Sequence, residues 1–322
     1  MTEKPAYIID RLIDRADTLG NPTVVGLDPT AALVPLPVRE HYYNDTGRTP
    51  EALCAAFLRY NKTIIDAVAD VVPAVKPQIA MYEYLGPEGV AAYAATCEYA
   101  ASKGLLVIGD VKRGDISSTA AAYASHLAGA DIEGEHHDVW REDFITVNPY
   151  LGSDGIRPFT DACAETGKGI FVLVKTSNPS SGELQDIVID GEPLYMRVAR
   201  LVSEWGAALT GERGYSSVGA VVGATHRDVG AKLRAAFPQM FFLVPGYGAQ
   251  GAGAEDVRAF FDADGRGCIV NSSRGIIGAW TKMKGGSDGA KNLSVSEALT
   301  LVSESARDAA LRMKNELGCH ER

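Results

Sequence analysis

Three charged residues lie close together in the middle of the chain: Asp110, Lys112 and Asp115. Carboxylates and ammonium groups are side chains that general acid–base chemistry uses when they face one another. They follow the apolar run 105–108, which is typical of a short strand buried on both faces. Because side chains alternate along an extended chain, Asp110 and Lys112 would point the same way if the strand continues past them. An anion and a cation would then lie side by side at the rim of a buried sheet.

Asp115 does not share that direction automatically, because it follows a turn at Gly114. The segment 115–118 can begin a helix, so the partner of Asp115 can lie elsewhere. A solvated ion pair in a loop after a strand would give the same pattern, and the rest of the chain has to distinguish the two interpretations.

Composition limits the classes of protein to consider. The 322 residues are 46% hydrophobic, which is enough to bury a large core in one barrel-sized domain or two smaller ones. A formal net charge of -10 opposes nonspecific binding to nucleic acid or to an acidic membrane. An anionic ligand must therefore be recognised by locally placed cations.

The expected compartment is the cytoplasm. No run approaches the roughly 18 apolar residues of a membrane span, and the first residues lead into an amphipathic helix rather than a signal peptide. The five cysteines are odd in number, scattered and never in a C-x-x-C arrangement, which suits reduced thiols.

Eight short apolar segments recur along the chain, and each ends at polar residues or a turn. They are Thr23–Leu27, Val71–Val75, Leu105–Ile108, Phe144–Val147, Gly169–Val174, Val218–Val222, Phe241–Val244 and Cys268–Val270. Segments with helical character lie before, between or after them: Tyr7–Leu19, Pro50–Asp70, Pro87–Lys103, Ile116–Leu127, Glu192–Leu209, Ala254–Phe261 and Ser294–Leu317. We expect residues 29–50 to form a long proline-rich loop and residues 129–143 a polar acidic insertion.

This alternation predicts an α/β fold, a (β/α)8 TIM barrel, with residues 1–322 as a single domain that carries N-terminal and C-terminal helices. An open doubly wound sheet is the alternative, and the lack of G-x-G-x-x-G after the first strand weakens it. In such barrels the active site lies at the carboxyl ends of the strands. Polar residues follow or end several predicted strands: Asp28, Lys76, Asp110, Lys112, Asn148, Ser177 and Arg274.

Two segments near the C-terminal end of the barrel are suited to binding phosphate. Pro245–Gly253 is a glycine-rich loop after the seventh strand, and Arg274 follows the eighth. Backbone amides and a helix N-terminus present positive partial charge to phosphate, and arginine offers it a planar fork. A flexible surface connection remains the alternative for the glycine-rich loop.

Taken together, these motifs resemble the orotidine 5'-phosphate decarboxylase family over nearly the whole chain. The family's Asp-x-Lys-x-x-Asp-Ile signature stands at Asp110–Ile116, and Thr176–Pro179 and Pro245–Gln250 are similar to its base-binding and phosphate-binding loops. The long first loop and the insertion Glu133–Asp143 resemble the longer bacterial branch of the family.

The resemblance implies cofactor-independent decarboxylation of orotidine 5'-monophosphate (OMP) to UMP and CO2, the last step of de novo UMP synthesis. The four residues implied to be catalytic are Lys76, Asp110, Lys112 and Asp115. Lys112 would stabilise the carbanion at C6 and protonate it, and Asp110 would crowd the substrate carboxylate. Lys76 and Asp115 would complete an alternating network of charges that keeps Lys112 protonated.

The implied substrate contacts fall on Lys76 and on seven further positions. Asp28, Lys76 and Thr119 would bind ribose hydroxyls, Ile116 and Pro245 would pack near the base, Ser177 would bind its amide edge, and Gln250 and Arg274 would bind phosphate. The resemblance also implies a homodimer with shared active sites, in which Asp115 and Thr119 come from the partner subunit. It implies no metal, no cofactor, no nucleic acid and no membrane.

Two other functions remain open at this point. A sugar-phosphate decarboxylase or aldolase of the same barrel superfamily would use Mg²⁺ to hold an enediolate, so a chelator would abolish its activity. A noncatalytic barrel that senses UMP would bind the nucleotide without turning over OMP. The pair His136–His137 lies among acidic residues, and a solvated insertion explains it better than a metal site.

Overall fold

The computed structural model describes residues 7–248, 251–283 and 286–318. Eight parallel strands form a closed barrel, and each strand is hydrogen-bonded to the strands before and after it in the chain, with the last beside the first. The strands are β1 Thr23–Leu27, β2 Ala74–Pro77, β3 Leu106–Arg113, β4 Phe144–Val147, β5 Gly169–Lys175, β6 Val218–Val222, β7 Phe242–Pro245 and β8 Cys268–Ser272. The predicted (β/α)8 barrel is confirmed.

Helices lie between the strands and at both ends of the described chain. They are α1 Ile8–Leu19, α2 Leu36–Thr46, α3 Pro50–Val68, α4 Ala80–Glu83, α5 Pro87–Ser102, α6 Ser117–Ala128, α7 Ser153–Thr166, α8 Gly182–Gln185, α9 Leu194–Gly206, α10 Arg227–Ala236, α11 Ala254–Val257, α12 Arg274–Ile277, α13 Gly286–Ala290 and α14 Val295–Leu317. Six of the seven predicted helical segments contain one of these helices, and the seventh, Ile116–Leu127, ends one residue before α6 does. The longest, α14, begins with a capping box in which Ser294 and Glu297 satisfy each other's backbone amides.

The chain divides into two compact units. Unit 1 comprises Val111–Asn271 together with the residues up to Thr18, and unit 2 comprises Leu19–Asp110 together with the residues from Ser272 onward. In unit 1 the rings of Phe144 and Phe171 pack 5.1 Å apart in the core. In unit 2 the rings of Tyr82 and Tyr93 pack edge to face at 5.4 Å. The assignment of residues 1–322 to one domain stays a prediction.

The prediction of a long loop over residues 29–50 is wrong for its central part, which forms α2. Pro35 and Pro37 lie at the start of this helix, where a missing backbone N–H removes no helical hydrogen bond. Proline density therefore marked a helix start rather than a loop. The insertion 129–143 contains a small antiparallel hairpin, in which Ala130–Ile132 pairs with Glu135–His137 on the surface.

Five strands, β2, β3, β5, β7 and β8, extend further toward their polar ends than the apolar runs predict. β2 includes Lys76, and β3 continues through Asp110 and Lys112 to Arg113. The charged residues are thus part of the strands rather than of the loops after them. Among the described residues, no helix is both long and apolar enough to cross a membrane.

Candidate active site

A buried ion pair lies at the ends of two neighbouring strands in unit 2. The Nζ atom of Lys76 donates a hydrogen bond to Oδ2 of Asp110 at 2.6 Å. The two residues are 4% and 7% exposed, so both charges are removed from water. Burial acts to lower the pKa of Lys76, but the attraction of Asp110 and of Asp28 outweighs it and raises that pKa above the ordinary lysine value. Lys76 is therefore held in its charged form.

Asp28 follows directly after β1 and contributes the second carboxylate near Lys76. Its Oδ1 atom is buried and accepts no hydrogen bond from the described residues. A buried carboxylate oxygen in this state is unfavourable unless a donor reaches it. The position suits an oxygen that accepts a hydrogen bond from a ligand hydroxyl.

A buried polar network supports the end of β1. The hydroxyl of Tyr82 donates to the carbonyl oxygen of Leu27 at 3.2 Å and accepts from the side-chain amide of Asn61 at 2.8 Å. The same amide donates to Thr96 at 3.3 Å. Burial raises the pKa of Tyr82 well above its ordinary value, so its hydroxyl stays protonated and able to donate. Tyr82 thus fixes the backbone immediately before Asp28.

Arg274 is the first residue of α12 and belongs to the second segment of unit 2, which begins at Ser272. Its side chain is exposed, as a contact to a soluble anion requires. Ser273 precedes it at the helix start.

Lys112 is the first of the predicted catalytic residues in unit 1. Its side chain is exposed, and its backbone N–H donates to Oγ1 of Thr146 at 2.9 Å. Its φ angle of 44° lies in the left-handed region, which residues other than glycine rarely adopt. Because this angle interrupts the regular alternation of β3, residue spacing does not decide whether Lys112 points the same way as Asp110. That expectation stays a prediction.

Asp115 lies in the short segment between β3 and α6. One of its carboxylate oxygens accepts a hydrogen bond from the amide of Ile116 at 2.7 Å. Within residues 7–248, 251–283 and 286–318 it makes no ion pair. Ile116 is 48% exposed, and Thr119 in the first turn of α6 is exposed as well.

Ser177 follows β5 and packs against the turn after β6. A Cβ atom at Gly223 would lie 2.8 Å from the Cβ atom of Ser177, so only glycine fits there. The next amide, of Ala224, donates to the carbonyl of Pro245 at 2.8 Å. The turn at 223–224 thus connects two predicted substrate positions, Ser177 and Pro245.

Gln250, the predicted phosphate contact, lies outside the described residues. The described parts of the glycine-rich loop form a tight turn in which the amide of Gly248 donates to the carbonyl of Ala252 at 2.8 Å. Gly248 and Gly251 have φ angles of 73° and 94°, so both positions favour glycine. The role of this loop in binding phosphate stays a prediction.

No group of three or more histidine, cysteine or acidic side chains in the described part of the chain could hold a metal ion. His136 lies on the surface hairpin and contacts Asp131 at 3.0 Å. Both side chains are more than half exposed. This is the geometry of a solvated insertion.

Comparison with known proteins identifies the family. A sequence model of the orotidine 5'-phosphate decarboxylase / HUMPS family matches residues 22–284. The chain belongs to this family. A curated orotidine 5'-phosphate decarboxylase of Rhodopirellula baltica is 46% identical over 259 residues, which are 80% of this chain and 84% of the relative. The protein of that name from Clostridium acetobutylicum is 39% identical over 311 residues, covering 96% of this chain and 98% of the relative.

Solved structures agree with the family assignment. The structure of Leishmania donovani OMP decarboxylase has a TM-score of 0.67 and 30% identity to this chain. The match covers 92% of this chain and 98% of that one. The similarity to bacterial relatives extends over most of both chains, which agrees with the predicted bacterial branch.

Three residues that support predicted substrate positions were given no functional role from the sequence. Tyr82 supports β1, and Gln185 and His226 contact the segment before Ser177. Each acts through a contact between segments that are distant in the chain, so no local motif marks them. Gly223 directly follows the predicted strand Val218–Val222, but nothing in the sequence indicates its contact with Ser177.

Proposed function

We propose that this protein decarboxylates OMP to UMP and CO2 without a metal or organic cofactor, as the last step of de novo UMP synthesis. The observation that carries the proposal is the buried ion pair between Lys76 and Asp110, in a chain of the decarboxylase family. Asp110 lies on the strand that also bears Lys112. A buried ion pair contributes little to stability, because removing two charges from water costs free energy, so its presence calls for a functional reason. A reaction that develops negative charge next to an ammonium group provides that reason.

In the proposed reaction the bond between C6 of the pyrimidine and its carboxylate breaks. CO2 leaves, and the electron pair of that bond remains on C6 in the plane of the ring. Lys112 then donates a proton from Nζ to C6, and solvent returns a proton to the lysine. Asp110 lies near the departing carboxylate, which raises the energy of the bound substrate, and Lys76 holds Asp110 in place.

The substrate contacts are proposed on the same residues that the family motif indicates. Asp28 and Lys76 bind ribose hydroxyls, Ser177 binds the amide edge of the base, and Ile116 and Pro245 pack beside it. Arg274 and Gln250 bind the phosphate. The Oδ1 atom of Asp28, which is buried and accepts no hydrogen bond from the part of the chain that the structure describes, supports its part of this assignment.

A homodimer with shared active sites is part of the proposal. Asp115 and Thr119 would act on the partner subunit's substrate. The exposed apolar side chains around them support a second copy as the partner: Ile116, Tyr123, Tyr150 and Leu151 are each at least 37% exposed. The cytoplasm is the proposed compartment, which suits the four free, buried cysteines of the described chain.

The deciding experiment follows the absorbance of OMP with purified protein in the presence of a chelator. Continued loss of the orotate absorbance, with release of CO2 and formation of UMP, supports the proposal. Lys112→Ala purified in the same way reports any decarboxylase carried over from the host. Activity that disappears with the chelator and returns with Mg²⁺ would favour the enediolate mechanism, and UMP binding without turnover would favour a sensor.

A further inference from the structure

The backbone before Ser177 is fixed from two sides by residues outside the family's reactive motif. Thr176 is the residue concerned, and all of its polar groups are engaged. Its N–H donates to the Oε1 atom of Gln185 at 2.9 Å, and its carbonyl accepts from Nε2 of His226 at 2.9 Å. Because a carbonyl only accepts, Nε2 of His226 must carry a proton. We call these two side chains, Gln185 and His226, the Thr176 clamp.

The side chain of Thr176 is fixed in the same way. Its Oγ1 atom accepts from Nε2 of Gln185 at 2.7 Å and donates to Oδ1 of Asn178 at 2.6 Å. Gln185 thus makes two hydrogen bonds to one residue. Two hydrogen bonds between the same pair of residues restrict rotation more than a single bond does, so Thr176 has little freedom to turn.

Both clamp residues are themselves anchored. Asp186, next to Gln185, forms an ion pair with the buried Lys175 at 2.7 Å. His226 follows a turn whose first residue, Gly223, donates from its amide to the carbonyl of Lys175 at 2.8 Å. The close approach of Gly223 to Ser177 leaves no space for a shift in that direction. The whole assembly lies within unit 1.

We propose that Gln185 and His226 are positioning residues that set base selection by holding Thr176, and with it Ser177, in one conformation. This inference rests on the proposed function for the role of Ser177. A serine hydroxyl can donate or accept, so alone it would accommodate either uracil or cytosine. A fixed backbone restricts the position and direction of that hydroxyl. The backbone N–H of Ser177, unlike the hydroxyl, only donates, so a fixed backbone presents a donor that O4 of uracil can accept from and the amino group of cytosine cannot.

The test compares equilibrium binding of UMP and CMP by calorimetry in wild type and in clamp variants. Gln185→Leu and His226→Leu remove the hydrogen bonds while keeping a side chain of similar bulk. We expect each to weaken UMP binding about tenfold, as expected for loss of hydrogen bonds, and to reduce the preference for UMP over CMP by a similar factor. Because base contacts are made before and during reaction, KM for OMP should rise more than kcat falls.

Two further variants separate positioning from general damage. His226→Gln keeps an N–H donor at similar reach and should restore most of the preference for UMP. Lys232→Ala removes an exposed side chain on α10 and should leave binding unchanged. Hydrogen exchange of the segment 175–178 should become faster in the leucine variants and remain slow in His226→Gln.

A wild-type preference for UMP that persists in folded leucine variants overturns the inference. If those variants do not fold, His226→Asn, whose shorter amide cannot reach the carbonyl, replaces them, and an unchanged preference there has the same meaning. The proposed function fails separately: a wild-type protein that binds UMP selectively through the clamp but never consumes OMP supports the inference and contradicts the enzyme. A wild-type protein that does not prefer UMP contradicts the clamp even if it consumes OMP.

Discussion

At the scale of single residues, the free energy of the charged network depends on how Lys76 is compensated. Burial alone would favour a neutral lysine, but Asp110 and Asp28 reverse that preference and raise its pKa. A buried ion pair of this kind contributes little net stability when complete and is strongly unfavourable when broken. The pair is therefore better explained by function than by folding.

The first prediction concerns this pair. Lys76→Met leaves Asp110 buried without its ammonium partner and should lower the free energy of unfolding by about 3–5 kcal/mol. Asp110→Leu should also destabilise, because Lys76 loses its hydrogen-bonded carboxylate. The double variant Lys76→Met/Asp110→Leu should be more stable than the sum of the two losses predicts. Urea unfolding of the four proteins measures the coupling, and simple additivity would contradict it.

The pH dependence of the same comparison has a defined sign. Because the pKa of Lys76 is raised in the folded state, its pairing contributes fully below the ordinary lysine value of 10.5. Above that pH the unfolded chain loses its proton first, so the contribution falls. The stability difference between wild type and Lys76→Met should shrink as pH rises above 10.5. A difference that grows there would contradict the assignment.

A second prediction at this scale concerns Lys112. Lys112→Ala removes the proposed proton donor while leaving the phosphate contacts in place, so UMP should still bind. Positioned acid catalysis contributes at least ~10²-fold, and decarboxylation should fall by that factor or more. Steady-state kinetics and calorimetry with UMP check the two halves. Activity within about tenfold of wild type would remove Lys112 from the mechanism.

At the scale of elements, the apolar runs were sufficient to locate all eight strands. Each run is short, and buried strands of a parallel barrel need apolar residues on both faces. The helix α2 could not be recognised in this way, because its prolines are equally typical of a loop. Proline is favourable in the first turn of a helix but disrupts a helix interior, so the cluster alone did not distinguish a helix start from a loop. Polar strand ends indicated Lys76 and Asp110, but not the contacts that support Asp28 and Ser177. Those contacts join residues that are 55 and 50 positions apart, so no local pattern records them.

A third prediction belongs to α12, which begins at Arg274. If this arginine binds phosphate, Arg274→Ala should lower kcat/KM for OMP by at least about tenfold, as expected for hydrogen bonds to a charged group. The slow reaction of the phosphate-free nucleoside orotidine should hardly change. Lys282→Ala removes another exposed cation nearby and serves as the control. Equal losses on both substrates would mean that Arg274 supports the fold or the base site instead.

At the scale of the whole molecule, the proposed dimer explains why Asp115 and Thr119 lie at an exposed part of unit 1. In the described chain Asp115 has no ion-pair partner, although it belongs to the motif that carries Lys112. A residue from a second copy would complete that arrangement. The sequence indicated this sharing through the resemblance to the decarboxylase family and through the turn at Gly114.

A fourth prediction tests this sharing. Lys112→Ala and Asp115→Ala homodimers should each be severely impaired, since every site lacks one group. After the two variants are unfolded and refolded together, a mixed dimer has one site without either group and one intact site. Random pairing makes about half of the dimers mixed, so roughly a quarter of wild-type activity should return. Mixing without chain exchange is the control and should restore nothing.

If activity stays at the level of the parents although mixed dimers form, Asp115 acts within its own chain. Mass spectrometry of the intact dimers, with one variant carrying a distinguishable tag, establishes whether mixing occurred. The result then bears on the shared site alone, because both parents contain the same fold and the same phosphate contacts.

The left-handed backbone at Lys112 lowers the stability of the protein at a position that the proposed activity requires. A lysine at a φ angle of 44° is strained by about 1–3 kcal/mol, which glycine would avoid. Lys112→Gly should therefore unfold at a higher urea concentration than Lys112→Ala, by about 1 kcal/mol in the free energy of unfolding, while both stay inactive. Equal midpoints would mean that the backbone relaxes without its side chain. The fold thus retains an unfavourable residue where the proposed chemistry needs an amine, and selection for stability alone would replace it.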